Sequence, residues 1–285
     1  MHCYVCDSES IGRREGEVRD DPGLLIHECK SCGLVFLSSQ DHITENFYED
    51  SSMHDPEDVP DIKSWLNENS GDDERRFTTF SSNITNKSVL DFGCGVGGFL
   101  LRARALAKRV DGVELETRLQ PHYRKNKLNV YGDVSEIPRE PKYDLVTAFH
   151  VVEHLPDPRN MLKQLAEHLT DGGQVIVEVP SAADALLTLY RSEAFSKFSY
   201  WSCHLYLFTA HSLEQLAIQA GLKVNYIKQV QRYPLSNHLH WLAKAKPGGH
   251  QQWSFLDSDE MHAAYESALA GIGACDTLVA SFSNH

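Results

Sequence analysis

The chain has 285 residues and a formal net charge of −13, with 27 Lys and Arg against 40 Asp and Glu; at about 150 residues per domain it makes one large domain or two smaller ones. With 41% hydrophobic and 24% charged residues it is not a disordered or low-complexity chain. No stretch approaches about 18 uninterrupted apolar residues, which excludes a helical membrane span, and the acidic balance argues against broad contact with a nucleic-acid backbone.

The opening residues MHCYVCDSES show no basic stretch followed by an apolar run, so the expectation is a cytoplasmic chain without a signal peptide. Four of the seven cysteines form two C-x-x-C pairs, Cys3 with Cys6 and Cys29 with Cys32, separated by 22 residues and followed by Gly33. Without export signals this pattern reads as a metal site before disulfides. Four thiolates around one ion leave no open position, so the metal is expected to be a structural Zn2+ in a small ribbon over 1–37, its insert forming a hairpin across 11–28. A redox dithiol is the alternative, although it needs only one such pair.

Residues 38–84 read as an acidic linker and partly helical flap, its acidic run a solvated surface or else, near Phe47 and Tyr48, a cover for substrate. From residue 88 strands and helices alternate. SVLDF at 88–92, 110–114, YDLVTAF at 143–149 and QVIVEV at 174–179 read as strands. Helical spacing covers 99–108, 119–126, 160–169 and 211–220, and Asp171-Gly172-Gly173 is read as the stop of the third helix. Strands are expected again at 222–231 and 238–243, and a small-residue helix over 257–282. The alternation implies an α/β, Rossmann-like parallel sheet with helices on both faces. The expected division is a ribbon at 1–37, a linker at 38–84, a core at 85–243 with an insert around 181–210, and a C-terminal loop and helix at 244–285.

Asp91-Phe-Gly93-Cys-Gly95-Val-Gly97-Gly98 follows a strand and opens a helix, and Glu114 lies 21 residues after Gly93. The glycines fit the dinucleotide pattern G-x-G-x-x-G. Asp91 argues for another ligand: a carboxylate at the loop entrance repels a pyrophosphate and attracts an ammonium or sulfonium, both of which S-adenosylmethionine carries. Glu114, at the next strand's end, is placed to take two ribose hydroxyls.

Taken together, D-F-G-C-G-V-G-G, V-E at Glu114, Gly132-Asp133 and F-H-V-V-E-H-L-P-D-P from Phe149 resemble the class I S-adenosylmethionine-dependent methyltransferases across about residues 85–230. The preceding four-cysteine module resembles that of bacterial sugar methyltransferases, including those acting on nucleotide-linked sugars. The resemblance implies that Asp91, Gly93, Gly95 and Phe149 line the cofactor site, with Glu114 on the ribose and Asp133 on the adenine amino group. It also implies C- or O-methylation of a sugar, nucleotide-linked sugar or glycan.

Methyl transfer requires alignment, exclusion of water and removal of the acceptor's proton. His150, Glu153 and His154 follow the strand at 143–149 and share one face of a helical turn. Three readings stay open for them: His154 as general base with Glu153 orienting it, a divalent-ion site, or a packed loop. The aromatic segment 195–208, FSKFSYWSCHLYLF, offers Tyr200, Trp201, His204 and Tyr206 to a sugar ring or base, or else forms a hydrophobic clamp. RNA or protein methylation guided by the ribbon, and a non-catalytic interaction protein on the same core, are the rival functions.

Overall fold

The computed structural model describes residues 1–43 and 61–285; Phe47 and Tyr48, expected to cover a substrate, lie outside the described residues. The strands are, in chain order, Ile11–Arg13 (β1), Ile26–Cys29 (β2), Val35–Leu37 (β3), Ser88–Phe92 (β4), Arg109–Val113 (β5), Asn129–Tyr131 (β6), Tyr143–Phe149 (β7), Leu169–Pro180 (β8), Tyr206–Leu207 (β9), Lys223–Val230 (β10) and Thr277–Ser283 (β11).

Seven of them form the main sheet in the order β10-β11-β8-β7-β4-β5-β6. The pairs β4·β5, β4·β7, β5·β6 and β7·β8 are parallel. Strands β4 and β7 are buried along nearly their whole length, as expected of continuous apolar runs covered by helices on both faces. The chain leaves β4 toward β5 and β6 on one side and returns through β7 and β8 on the other, so the order reverses between β4 and β7. Ligand crevices form at such a switch point, at the carboxyl ends of the strands.

Three expectations are corrected. The stretch 257–282 is not one helix: a helix runs over Asp259–Gly271, and Thr277–Ser283 is β11, inserted antiparallel between β8 and β10. Its run of small residues resembles a helix face. It fits here because the strand is buried on both sides, with Ser281 Oγ donating to Gln174 Oε1 at 2.8 Å. The C-terminal residues therefore complete the main sheet, which is mixed rather than parallel throughout. Residues 238–243 belong to the helix Leu235–Lys244, not to a strand. That helix buries Ser236, Asn237, His238 and His240 beside Trp241, while Leu239 and Leu242 face solvent. Finally, Asp171-Gly172-Gly173 does not stop a helix; the helix ends at Glu167 and these residues already belong to β8.

The N-terminal module is a second sheet in the order β1-β2-β3-β9, its β1·β2 pair being the hairpin expected across 11–28. Its last strand comes from the 195–208 segment, pairing Val35 with Leu207 and Phe36 with Tyr206. Between module and core runs helix α1, Ile62–Thr79, capped by Asp61, whose Oδ1 accepts from Lys63 N at 3.1 Å and Ser64 N at 3.3 Å.

Phe282 in β11 is fully buried. Phe282→Ala is expected to lower unfolding stability by about 3–5 kcal/mol in urea titration, the cost of an emptied aromatic core site; a helical surface position would lose well under about 1 kcal/mol.

Candidate functional site

A cavity of about 600 Å3 opens at the switch point, within the range of roughly 300–1,000 Å3 usual for small-molecule sites. Its floor is the β4 loop. Gly93 has φ +71°, and a Cβ there would stand 2.4 Å from Val151 Cγ2, so a side chain is excluded both by conformation and by space. A Cβ on Gly98 would lie 2.0 Å from Asp73 Oδ2, which lets α1 settle against the start of the helix Gly98–Ala103.

Asp91 is 4% exposed and accepts from Thr147 Oγ1 at 2.7 Å. Burial pushes its carboxyl up to about 7, opposed by the Thr147 hydrogen bond and by Arg76. Glu114 is fixed by backbone donors: Gly95 N at 2.8 Å to Oε2 and Glu116 N at 3.0 Å to Oε1. Burial raises its carboxyl as well, while those two N–H groups pull it down. Two partly desolvated carboxylates over a glycine loop make a site for a cationic ligand with vicinal hydroxyls. Trp65 and Asn69 of α1, with Phe99, Leu115 and Phe149, complete the walls at this end.

The lid over that end is held by charge. Glu178, near the end of β8, is fully buried. Its Oε1 accepts from Arg75 Nη2 at 2.8 Å and Arg76 Nη2 at 2.7 Å, both on α1. Burial by itself would raise this carboxyl; Arg76, His150 and Arg75 together hold it well below the usual carboxylate range. Asp72 binds Arg75 at 3.1 Å and pairs closely with Arg232, which follows β10. His150 joins the network, its Nε2 2.9 Å from Arg232 Nη1 and 3.3 Å from Glu178 Oε1, and its Nδ1 3.1 Å from Glu153 Oε1.

At the other end, Glu153 and His154 are buried in the turn after β7 and meet His204 of the aromatic segment. His154 Nδ1 lies 2.8 Å from Cys203 O, and His204 Nδ1 lies 3.1 Å from Ser199 O. A carbonyl only accepts, so each ring turns an Nδ1 hydrogen toward its backbone partner. Phe195, Phe198, Trp201, Tyr233 and Trp241 wall this end.

The four expected metal cysteines converge. Cys3 and Cys32 have sulfurs 3.5 Å apart, as do Cys6 and Cys29, and all four sulfurs lie within 4.8 Å of one another. Zinc–sulfur bonds of about 2.3 Å in a tetrahedron place neighbouring sulfurs about 3.8 Å apart, so the donor set fits zinc. For Cys29 burial is outweighed by N–H groups of Cys32 and Ser31, which lower the thiol to about 7.

The cavity thus brings together Asp91, Gly93, Gly95, Glu114, Phe149, His150, Glu153, His154, Trp201 and His204. It does not include Asp133, Tyr200 or Tyr206. Asp133 is exposed and accepts from Ser135 N at 2.8 Å, capping the turn that follows β6. Tyr200 and Tyr206 are buried and serve the clamp instead: Arg14 Nε donates to Tyr200 Oη, and Gln40 Nε2 to Tyr206 Oη, each at 2.7 Å. The sequence reading missed Asp72, Arg76, Glu178 and Arg232. An Arg-Arg pair in a polar helix gives no local sign of a distant buried carboxylate; Glu178 inside the apolar run QVIVEV was the available signal.

A family model described as a methyltransferase domain matches residues 65–227. The ubiquinone biosynthesis O-methyltransferase of Coxiella burnetii (strain Dugway 5J108-111) is 30% identical over 169 residues, covering 54% of this chain and 71% of that protein. The protein of the same name from Hydrogenovibrio crunogenus is 28% identical over 176 residues, covering 55% and 73%. Among solved structures, a chain from the complex between the Haloferax volcanii Trm112 methyltransferase activator and a methyltransferase superposes with a TM-score of 0.52 at 16% identity, covering 79% of this chain and 98% of that one. That last likeness is one of fold.

Glu178→Gln removes the charge that neutralises two largely desolvated guanidiniums. It is expected to cost about 3–5 kcal/mol in denaturant unfolding; a loss below about 1 kcal/mol would contradict the account of the network.

Proposed function

The chain belongs to the methyltransferase-domain family, as an S-adenosylmethionine-dependent enzyme, and from that premise we propose that it methylates a hydroxyl of a small polar acceptor, of the sugar or nucleotide-linked sugar class. The observation that supports this most is the meeting, in one cavity, of the Asp91–Glu114 end with an imidazole–carboxylate cluster under aromatic walls. Aromatic faces interleaved with His204 and His250 suit a ring with several hydroxyls. A second reading, O-methylation of an acceptor in ubiquinone biosynthesis, is favoured by the relatives' names. A non-catalytic role on the same core is set aside by the family. Recognition of RNA is opposed by the charge of −13.

S-adenosylmethionine, when bound, supplies a methyl group on a sulfonium, a good leaving group. In the proposed site Asp91 attracts the positive end of the cofactor, and its ionisation is drawn out by that charge. Glu114, already oriented by Gly95 N and Glu116 N, keeps lone pairs for both ribose hydroxyls. Phe149 and Trp65 exclude water on either side. Asp133 is left unassigned: it does not line the cavity, and its Oδ1 caps the turn after β6. His154 takes the acceptor's proton, its ring oriented by the contact of Nδ1 with Cys203 O. Glu153, beside it, stabilises the imidazolium that forms, and His150 fixes Glu153.

The four cysteines are proposed to hold one structural zinc ion, with no open position for chemistry. Elemental analysis of protein purified without chelator should find about one zinc per chain; none would remove this assignment. Glu114→Ala should weaken S-adenosylmethionine binding about ten- to a hundred-fold in calorimetry, the loss of a charged double acceptor; unchanged affinity would exclude Glu114 from the site. His154→Ala should lower turnover about 10²- to 10⁴-fold and leave cofactor affinity nearly intact. A packing role would instead lower the melting temperature at unchanged turnover per folded molecule.

A further inference from the structure

We propose that Asp184 binds a positively charged amino group of the acceptor, which is then an amino sugar held by its ammonium while a hydroxyl is methylated. That the acceptor is a sugar methylated on oxygen rests on the reading above; the ammonium site itself does not.

Asp184 follows the end of β8, the neighbour of β7 in the sheet, and lines the cavity. It is 4% exposed. Its Oδ1 accepts from Leu186 N at 2.7 Å and caps the short helix Ala185–Thr188. Among the described residues Oδ2 takes no hydrogen bond, and no Lys, Arg or His pairs with the group. Burial pushes this carboxyl well above the usual carboxylate range and neighbouring Asp276 pushes it further, opposed only by the Leu186 N–H.

Asp276, in the same cavity wall, shows what a matched carboxylate requires. It accepts from Gln231 Nε2 at 2.8 Å, Arg232 N at 3.0 Å and Tyr233 N at 3.1 Å, and the charge of Arg232 offsets its own. Nothing comparable serves Asp184. Arg14 pairs with Glu28 and donates to Tyr200 Oη and Ala182 O. His238 is pushed by burial down to about 4, so near neutral pH it carries no charge. A desolvated carboxylate with one unmatched oxygen and no counter-charge is costly, and an ammonium brought by the acceptor removes that cost.

The cap does not explain the charge, because Asn caps a helix as well as Asp does. The rest of the cavity suits the same ligand. Among the described residues that line it, carboxyl groups outnumber guanidiniums and no lysine occurs, a field that favours a cationic acceptor. The Phe195 and Trp241 rings, 5.3 Å apart, face the same space and offer aromatic surfaces to a sugar ring or its ammonium.

The test is calorimetry on the full chain saturated with S-adenosylhomocysteine, using two pairs of probes: D-glucosamine against D-glucose, and cyclohexylammonium against cyclohexanol. The second pair asks only for a cation on a six-membered ring and needs no sugar. Each ammonium is expected to bind about ten- to a hundred-fold more tightly than its neutral partner. Asp184→Asn, which keeps the cap, should remove that preference with S-adenosylhomocysteine affinity unchanged and the melting temperature no lower. No preference in either pair, a preference that survives in Asp184→Asn, or a fall in its melting temperature would overturn the site. Hexoses bound alike with and without the amine would overturn the amino-sugar assignment and leave the sugar reading in place. Hexoses not bound at all, with the preference kept in the cyclohexyl pair, would remove the sugar reading and leave the ammonium site.

Discussion

The geometry of the cavity depends on one fully buried carboxylate. Glu178 sits inside β8 among valines, where an unpaired charge is not tolerated, and it recruits Arg75 and Arg76 from a helix more than 100 positions earlier. The pairing draws α1 across the carboxyl ends of the parallel strands and puts Trp65, Asn69 and Asp73 over the glycine loop. Arg232 and Asp72 extend the same charge balance to the loop after β10, and His150 links it to Glu153. Cofactor end, lid and acceptor end are thus tied through one run of alternating charges, in which each member is fixed by its neighbours.

The N-terminal module acts at the other side of the cavity. Beyond the β3·β9 pairing, Asp20 accepts from Ser202 N at 3.0 Å and Ser202 Oγ at 2.6 Å, and Arg14 reaches Ala182 O at 2.7 Å. The Arg19 guanidinium stacks 4.1 Å above the Trp201 ring, a contact that restrains an otherwise mobile aromatic. Trp201 and His204 face the cavity from this same braced segment. Arg14, Arg19 and Asp20 thus tie the four-cysteine module to the 195–208 segment.

What could be read from the sequence was what is local. The strand SVLDF, the glycine loop and YDLVTAF carry period and turn chemistry within a few residues, and the C-x-x-C spacing fixes a donor set by itself. Features decided by distant partners were hidden. Helix α1 reads as a linker because its buried residues, Asp73 and Arg76, are charged. The helix Leu235–Lys244 reads as a strand because its buried face is polar, with His238 Nδ1 bonded to Tyr265 Oη at 2.7 Å and Asn237 Oδ1 taking the N–H groups of Gly248 and Gly249. Strand β11 reads as a helix because alanine and serine have no period of their own. The choice between Tyr200 or Tyr206 as clamp and Trp201 or His204 as wall follows from the turn between the helix Glu193–Ser199 and β9, which composition cannot show.

The central claim is that the cofactor lies between the glycine loop and a helix held down by Glu178. Hydrogen–deuterium exchange with and without S-adenosylhomocysteine tests it most directly. Binding should slow exchange together at 93–98, at 114–116 and along 65–76, and Glu178→Gln should abolish the slowing over 65–76 while leaving it at 93–98. Protection confined to the sheet loops, with α1 indifferent to the ligand in both proteins, would contradict the account.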